Sequence, residues 1–374
     1  MKTKTRKKPA TLHIADSMTS ADLLYLTRFT SGDPFIYLKS GTKTIVAVTD
    51  FEVGRAASES TADEVVPFSR LNEMAGKPDM TSAAAALLKW KKIRLVEVPS
   101  QFPVGPAEEL RELGFKVRVK PDPFVPERQR KTPQEVRMIT EVQRKTEKAL
   151  ETAIQWISSA SVRRGTLYVG GRPLTAEMVR KRIHLQLMEE DCIGASTIVA
   201  CGDQAIDPHN TGSGPLKANS PIVIDVFPRS QTSYYFADIT RTVVKGKASE
   251  TVKKMFRTVR EGQRIAFSMI RPGVRADKVH EAIVEYFKSE GFETGVRNGR
   301  LQGFIHGTGH GLGLEIHEPP RVSKVKLTLQ AGNVVTVEPG LYYKGHGGIR
   351  LEDLVLVTAQ GNRNLTHAPK ILEV

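Results

Sequence analysis

Ile224-Asp225-Val226 and Phe236-Ala237-Asp238-Ile239-Thr240-Arg241-Thr242 decide how this chain is read. Ile222 to Phe227 is an apolar, β-branched run that predicts a buried strand. Pro228 to Ser233 predicts a polar turn, and Tyr234 to Val244 a returning strand. Each strand carries one aspartate in apolar surroundings. A lone buried carboxylate costs several kcal/mol unless it is paired or on a metal. Two residues so placed in a hairpin can meet on one face, and facing carboxylates do not both stay ionised without a cation between them. The economical reading is a metal site, provided the chain supplies further ligands.

Downstream, Phe304-Ile305-His306-Gly307-Thr308-Gly309-His310-Gly311-Leu312-Gly313 is too rich in glycine for a stable helix. His306 and His310 are therefore no helical metal pair. The glycines let the backbone pass close to something, with His310 pointed inward. His317-Glu318 is not a zincin motif, because no histidine follows three residues later. Asn333 to Gly340 is an apolar strand with Glu338 at its end, and Gly348 to Val357 another that carries Glu352. Asp225, Asp238, Glu338 and Glu352 bring four negative charges, which two divalent cations cancel. Oxygen donors with one imidazole suit manganese, cobalt, iron or zinc rather than a thiolate site. A pair of such ions can share a water and make hydroxide available near neutral pH.

The 374 residues suffice for two domains, and 40% hydrophobic with 26% charged residues is a globular composition. No run of about 18 apolar residues predicts a membrane helix. Residues 1–10 are basic without an apolar core and are expected to be a disordered tail rather than a secretory signal. Cys192 and Cys201 are too few for a disulfide framework and fit reduced thiols in a cytoplasmic protein. The net charge of +14 is scattered and forms no nucleic-acid-binding motif, so it argues against direct nucleic-acid recognition.

Residues 11–125 alternate strands and helices, which predicts a small α/β domain: strands over 11–15, 35–38, 44–48, 93–98 and 116–119, helices over 20–27, 83–92 and 107–113. Val119 to Pro126 contains three prolines and marks a boundary. Thr132-Pro133-Gln134-Glu135 then opens a helix with Thr132 as N-cap, Pro133 at N1 and Glu135 completing a capping box. That helix should run to Ile157, and others over 175–190, 249–270 and 277–290. The irregular order of elements over 126–374 predicts α+β, with helices over an antiparallel sheet.

As a set, Pro208-His209, Ile224-Asp225-Val226, Asp238 to Thr242, His306 to Gly313, His317-Glu318-Pro319-Pro320, Val337-Glu338-Pro339-Gly340 and Gly348 to Asp353 resemble the pita-bread-fold metallopeptidases, in the aminopeptidase P/prolidase branch. Ser20 to Thr27 resembles the creatinase-like N-terminal domain of that branch. The resemblance implies two divalent ions per subunit, manganese first. Asp225 would hold one ion, Asp238 and Glu352 would bridge, and His310 and Glu338 would hold the other. Glu338 would also shuttle the proton. His209 and His317 would flank the scissile bond, and His306 and Arg350 would line the pocket beyond it. Thr240 would orient Asp238. The implied substrates are peptides with proline at the second position, and the implied assembly is a homodimer.

Two departures bear on specificity. Phe227 stands where the family usually has glycine, and Asp225 and Asp238 are 13 residues apart, two more than is usual, which implies a longer aromatic hairpin tip over 227–236. Three other classes share part of this pattern. Methionine aminopeptidases usually lack the N-terminal domain and the Gly348 to Asp353 form of the last motif. Creatine amidinohydrolases have lost the metal ligands that this chain keeps. A non-catalytic pita-bread binding module would suit the charge but not the intact ligands.

Overall fold

The computed structural model describes residues 9–297 and 299–374, so most of the expected basic tail lies outside the described residues. The chain divides into two compact units after Pro126.

The first unit is built on a six-stranded sheet in the order Glu64–Pro67, Lys43–Val48, Phe35–Ser40, Ala10–Ala15, Leu95–Val98, Lys116–Val119. Phe35–Ser40 pairs antiparallel with both of its neighbours, and the remaining pairs are parallel. Helix Ala21–Thr27 starts where expected, with the Ser20 side chain accepting from the Leu23 amide. The alanine-rich helix Met80–Trp90 buries seven residues and helps to form the core. Helices Val53–Glu59 and Phe68–Ala75 were not foreseen. Each is at most eight residues long and lacks a side-chain cap, so neither periodicity nor a capping residue announces it.

In the second unit the capping box of Thr132 and Glu135 is formed, and the helix runs over Pro133–Ser158. Helices Ala176–Glu189 and Glu250–Met269 are capped by Thr175 and Ser249, and Ala276–Ser289 follows. Two antiparallel sheets, with the separate antiparallel pair Gly340–Tyr343 and Gly347–Arg350, carry most of the motifs. One runs Ile198–Cys201, Ile222–Val226, Ile239–Val243. The other runs Glu318–Val322, Gly309–Gly311, Val334–Val337, Asp353–Val357, Asn362–Asn364.

Strand alternation explains what faces where. Ile222, Ile224, Val226, Ile239 and Val243 pack with the helices over 133–158 and 176–189. Val335, Val337, Ile349, Leu351, Val355 and Val357 pack with those over 250–269 and 276–289. By the two-residue period, Asp225, Thr240, Thr336 and Arg350 face the other way, and Asp238, Glu338 and Glu352 continue that face beyond the strand ends.

The returning strand is shorter than expected. Only Ile239–Val243 is strand; Tyr234 sits at φ 64, and the Tyr235 hydroxyl donates to Glu135 Oε1 at 2.6 Å inside the unit. Tyr234, Tyr235 and Phe236 are anchored individually instead of alternating across a sheet. The tip is closed by a bridge between Arg229 and Phe236 and by pairing of Arg229–Ser230 with Cys192–Ile193.

Candidate metal centre

The side chains that the sequence singled out converge. Asp225 lies opposite Thr240 in the strand pair, and Asp238 immediately precedes the second strand. His310 is the middle of Gly309–Gly311. A Cβ on Gly309 would stand 2.0 Å from the Thr336 carbonyl oxygen, so only glycine lets this strand lie against its neighbour. Asp238, His310 and Glu352 each present a ligand atom within 4.8 Å of the others, and all three are buried. His310 Nε2 is 3.6 Å from Asp238 Oδ2 and 3.4 Å from Glu338 Oε1. Asp225 lies outside that trio and gives one oxygen to Arg350 Nη2 at 2.6 Å.

Burial sets the electrostatics. Burial, then neighbouring carboxylates, raises Asp238 and Glu352 well above the usual carboxylate range. Burial raises Glu338 to about 7. Burial also lowers His310 and His306 to about 3, so both imidazoles are neutral. A neutral His310 donates from Nδ1 to the Gly311 carbonyl at 3.0 Å, which leaves the Nε2 lone pair facing the carboxylates. Asp225 Oδ1, Asp238 Oδ1 and Glu352 Oε1 are buried with no hydrogen-bond partner. Three orphaned carboxylate oxygens around a free imidazole lone pair are what a divalent cation fits, and these donors are the hard-oxygen and imidazole set that suits manganese, iron, cobalt or zinc.

The centre opens into a cavity of about 800 Å³ whose lining includes His209, Phe227, His306, His317, Arg321 and Arg350. The His317 ring stands edge-on to that of His310, with centroids 4.4 Å apart. His306 donates from Nδ1 to its neighbour's carbonyl at 2.8 Å and accepts from the Tyr342 hydroxyl at 2.8 Å; that hydroxyl in turn accepts from Arg350 Nη1 at 3.1 Å. Phe227 lies in the wall, as the longer hairpin implied.

Other contacts were not legible. Thr240 does not orient Asp238, as the motif implied. Its hydroxyl donates to Glu352 Oε2 at 2.7 Å, because the strand register carries it opposite Asp225 and toward the second sheet. Asp238 is instead held by its amide, which donates to Gln143 Oε1 at 3.2 Å. Gln143 had a signal, a polar residue beside Val142 on the buried face of its helix. Glu318 is gripped by Arg128 and by Lys131 Nζ at 2.8 Å, behind His317.

Residues 137–359 match metallopeptidase family M24. An Xaa-Pro dipeptidase of Pyrococcus furiosus is 36% identical over 178 residues, which span 47% of this chain and 48% of that protein. The chain thus matches about half the length of that relative. An Xaa-Pro dipeptidase of Pyrococcus horikoshii is 31% identical over 289 residues, 75% of each chain. The solved prolidase from Pyrococcus furiosus superposes with a TM-score of 0.79 at 25% identity, covering 96% of this chain and 97% of that one. The fold is α+β, the pita-bread fold with a smaller α/β N-terminal domain.

Proposed function

The chain belongs to metallopeptidase family M24, and from that premise we propose that it is an exopeptidase cutting between an N-terminal residue and proline, with Asp225, Asp238, His310, Glu338 and Glu352 holding two divalent cations, manganese first. The carrying observation is the set of orphaned carboxylate oxygens around the neutral His310 at the floor of the cavity. Divalent cations bound there supply Lewis-acid polarisation and an activated water near neutral pH.

The chain's own residues do the rest. Glu338, beside His310 at the centre, accepts a proton from the attacking water and returns it to the leaving nitrogen. His209 and His317 line the cavity beside the centre, where a donor can stabilise the developing oxyanion. As in any peptide the leaving nitrogen must be protonated, and in an Xaa-Pro bond, a tertiary amide without an N–H, that nitrogen is part of the ring. The His306–Tyr342–Arg350 chain lines the side that would receive the ring. Arg321 sits opposite His310 in the strand register, and among the described residues no carboxylate pairs with it. A free cation at that place suits the C-terminal carboxylate of a dipeptide, which favours dipeptidase over aminopeptidase action. The names of the Pyrococcus relatives support the same substrate class. The free thiols of Cys192 and Cys201 suit a reducing cytoplasm, and the family resemblance supports a homodimer.

Rates on a Leu-Pro dipeptide, a Leu-Pro-Gly tripeptide and a Met-Ala peptide, with manganese added, test the reading. Cleavage of the proline peptides, fastest for the dipeptide and abolished in Glu338→Gln, is expected. Preferential cleavage of Met-Ala would replace it with a methionine-type activity.

A further inference from the structure

Segment 366–370 belongs to no motif, yet it touches the supports of both buried carboxylates. The Arg241 guanidinium is 2% exposed, and its five donors are all used. Nη1 donates to the carbonyls of Thr240 and Glu352 at 2.9 and 2.6 Å. Nη2 donates to Asp353 Oδ1 at 2.8 Å and to the Ala368 carbonyl at 2.7 Å, and Nε to the Pro369 carbonyl at 3.0 Å. Asp353 Oδ2 accepts from Lys370 Nζ at 2.5 Å and from Asn364 Nδ2 at 2.9 Å. On the other side, Thr366 Oγ1 accepts from Gln143 Nε2 at 3.1 Å and from the Leu354 amide at 2.9 Å. The far end of the same carboxamide holds the Asp238 amide.

We propose that segment 366–370 is a strap that, through Gln143 on one side and Arg241 with Asp353 on the other, sets the separation of Asp238 and Glu352 and so the affinity of the centre for divalent metal. Asp238 lies just before the strand Ile239–Val243, and Glu352 lies between the strands Gly347–Arg350 and Asp353–Val357, so no shared strand pair fixes their spacing. The links between the strand Ile239–Val243 and the segment that carries Glu352 include the Thr240–Glu352 hydrogen bond, a backbone bond from Glu352 to Thr240, and this guanidinium. A fully satisfied buried network is rigid, and groups that orient metal ligands tune the metal. Gln143 and Arg241 are positioning residues: neither is a ligand, and both act through backbone atoms of the ligands or of their neighbours.

The inference rests on the reading of Asp238 and Glu352 as ligands, and the test separates the two. Chelator-stripped wild type, Gln143→Met, Arg241→Lys and Tyr343→Phe are titrated with manganese by calorimetry, with circular-dichroism melts and peptide kinetics at saturating metal. Tyr343→Phe removes a hydrogen bond to the Glu293 carbonyl elsewhere in the unit and serves as the control for plain loss of stability. Manganese affinity should fall about 10- to 100-fold in Gln143→Met and Arg241→Lys. Their KM for the dipeptide at saturating metal should stay at the wild-type value, and Tyr343→Phe should lower Tm alone. Folded Gln143→Met and Arg241→Lys proteins that bind manganese like wild type would overturn the strap. If Arg241→Lys does not fold, Lys370→Met, which removes the strap's donor to Asp353 Oδ2, carries that arm, with the same fall expected and the same contrary result. Wild type that takes up no manganese would sink the metal reading itself, and the strap with it.

Discussion

Glu338→Gln should stabilise the metal-free protein. Glu338 is 17% exposed in its side chain and makes only long contacts, 3.2 Å from Thr336 Oγ1 and 3.4 Å from His310 Nε2. Its pKa is raised from 4.5 to about 7, with burial the main cause. A carboxylate whose folded pKa is raised binds its proton more tightly in the fold than in the unfolded chain. The resulting penalty is absent below pH 4.5, grows as pH rises, and is complete above about 7. That displacement corresponds to about 3 kcal/mol at pH 8. Glutamine carries no such penalty. For a unit of this size, about 3 kcal/mol moves Tm by roughly 6–12 °C. Melts of chelator-stripped wild type and Glu338→Gln at pH 4.5 and 8 measure the difference, in which the contributions of the buried histidines cancel. The variant should melt higher at pH 8 and alike at pH 4.5. Added manganese should reverse the order, because it stabilises what it binds. An apo variant no more stable than wild type at pH 8, or an advantage that persists undiminished at pH 4.5, would refute the reasoning.

Further outcomes follow from the same geometry. Gly309→Ala puts a Cβ 2.0 Å from the Thr336 carbonyl oxygen, so it should cost about 3 kcal/mol and weaken metal binding through His310; a melt within a degree or two of wild type would count against the packing described. Glu318→Gln leaves Lys131, 2% exposed in its side chain, without its charge partner; the expected loss is about 3–5 kcal/mol by denaturant titration, and Lys131→Met on the same background should recover part of it. Arg321→Gln should raise KM for Leu-Pro about 10- to 100-fold while leaving the tripeptide nearly unchanged, since only the dipeptide places its carboxylate there. Equal effects on both substrates would remove the dipeptidase preference.

What the sequence made legible was local. A carboxylate inside an apolar run, as in Ile224-Asp225-Val226 or Val337-Glu338, contradicts simple burial and asks for a cation. The capping box at Thr132 and the serine cap at Ser20 are short-range chemistry, and they form. Where local signals were weak, the reading failed. Helices Val53–Glu59 and Phe68–Ala75 have no side-chain caps, and Tyr234 to Phe236 look like strand but are turned aside by packing against Glu135 and Arg229. The supports of the centre were hidden for another reason. Gln143 meets Asp238 from 95 residues away, and Arg241 meets Glu352 from 111, distances at which pattern gives no register. Thr240 shows the same limit: strand alternation placed it on the correct face, but only the approach of the second sheet decided that its partner is Glu352.

The proposed centre gathers four carboxylates and one imidazole to hold metal. Calorimetric titration of manganese into chelator-stripped wild type and Asp238→Asn tests it most directly. Two ions per wild-type chain and loss of tight binding in the variant are expected. No uptake by wild type, or the same uptake in both proteins, would contradict it.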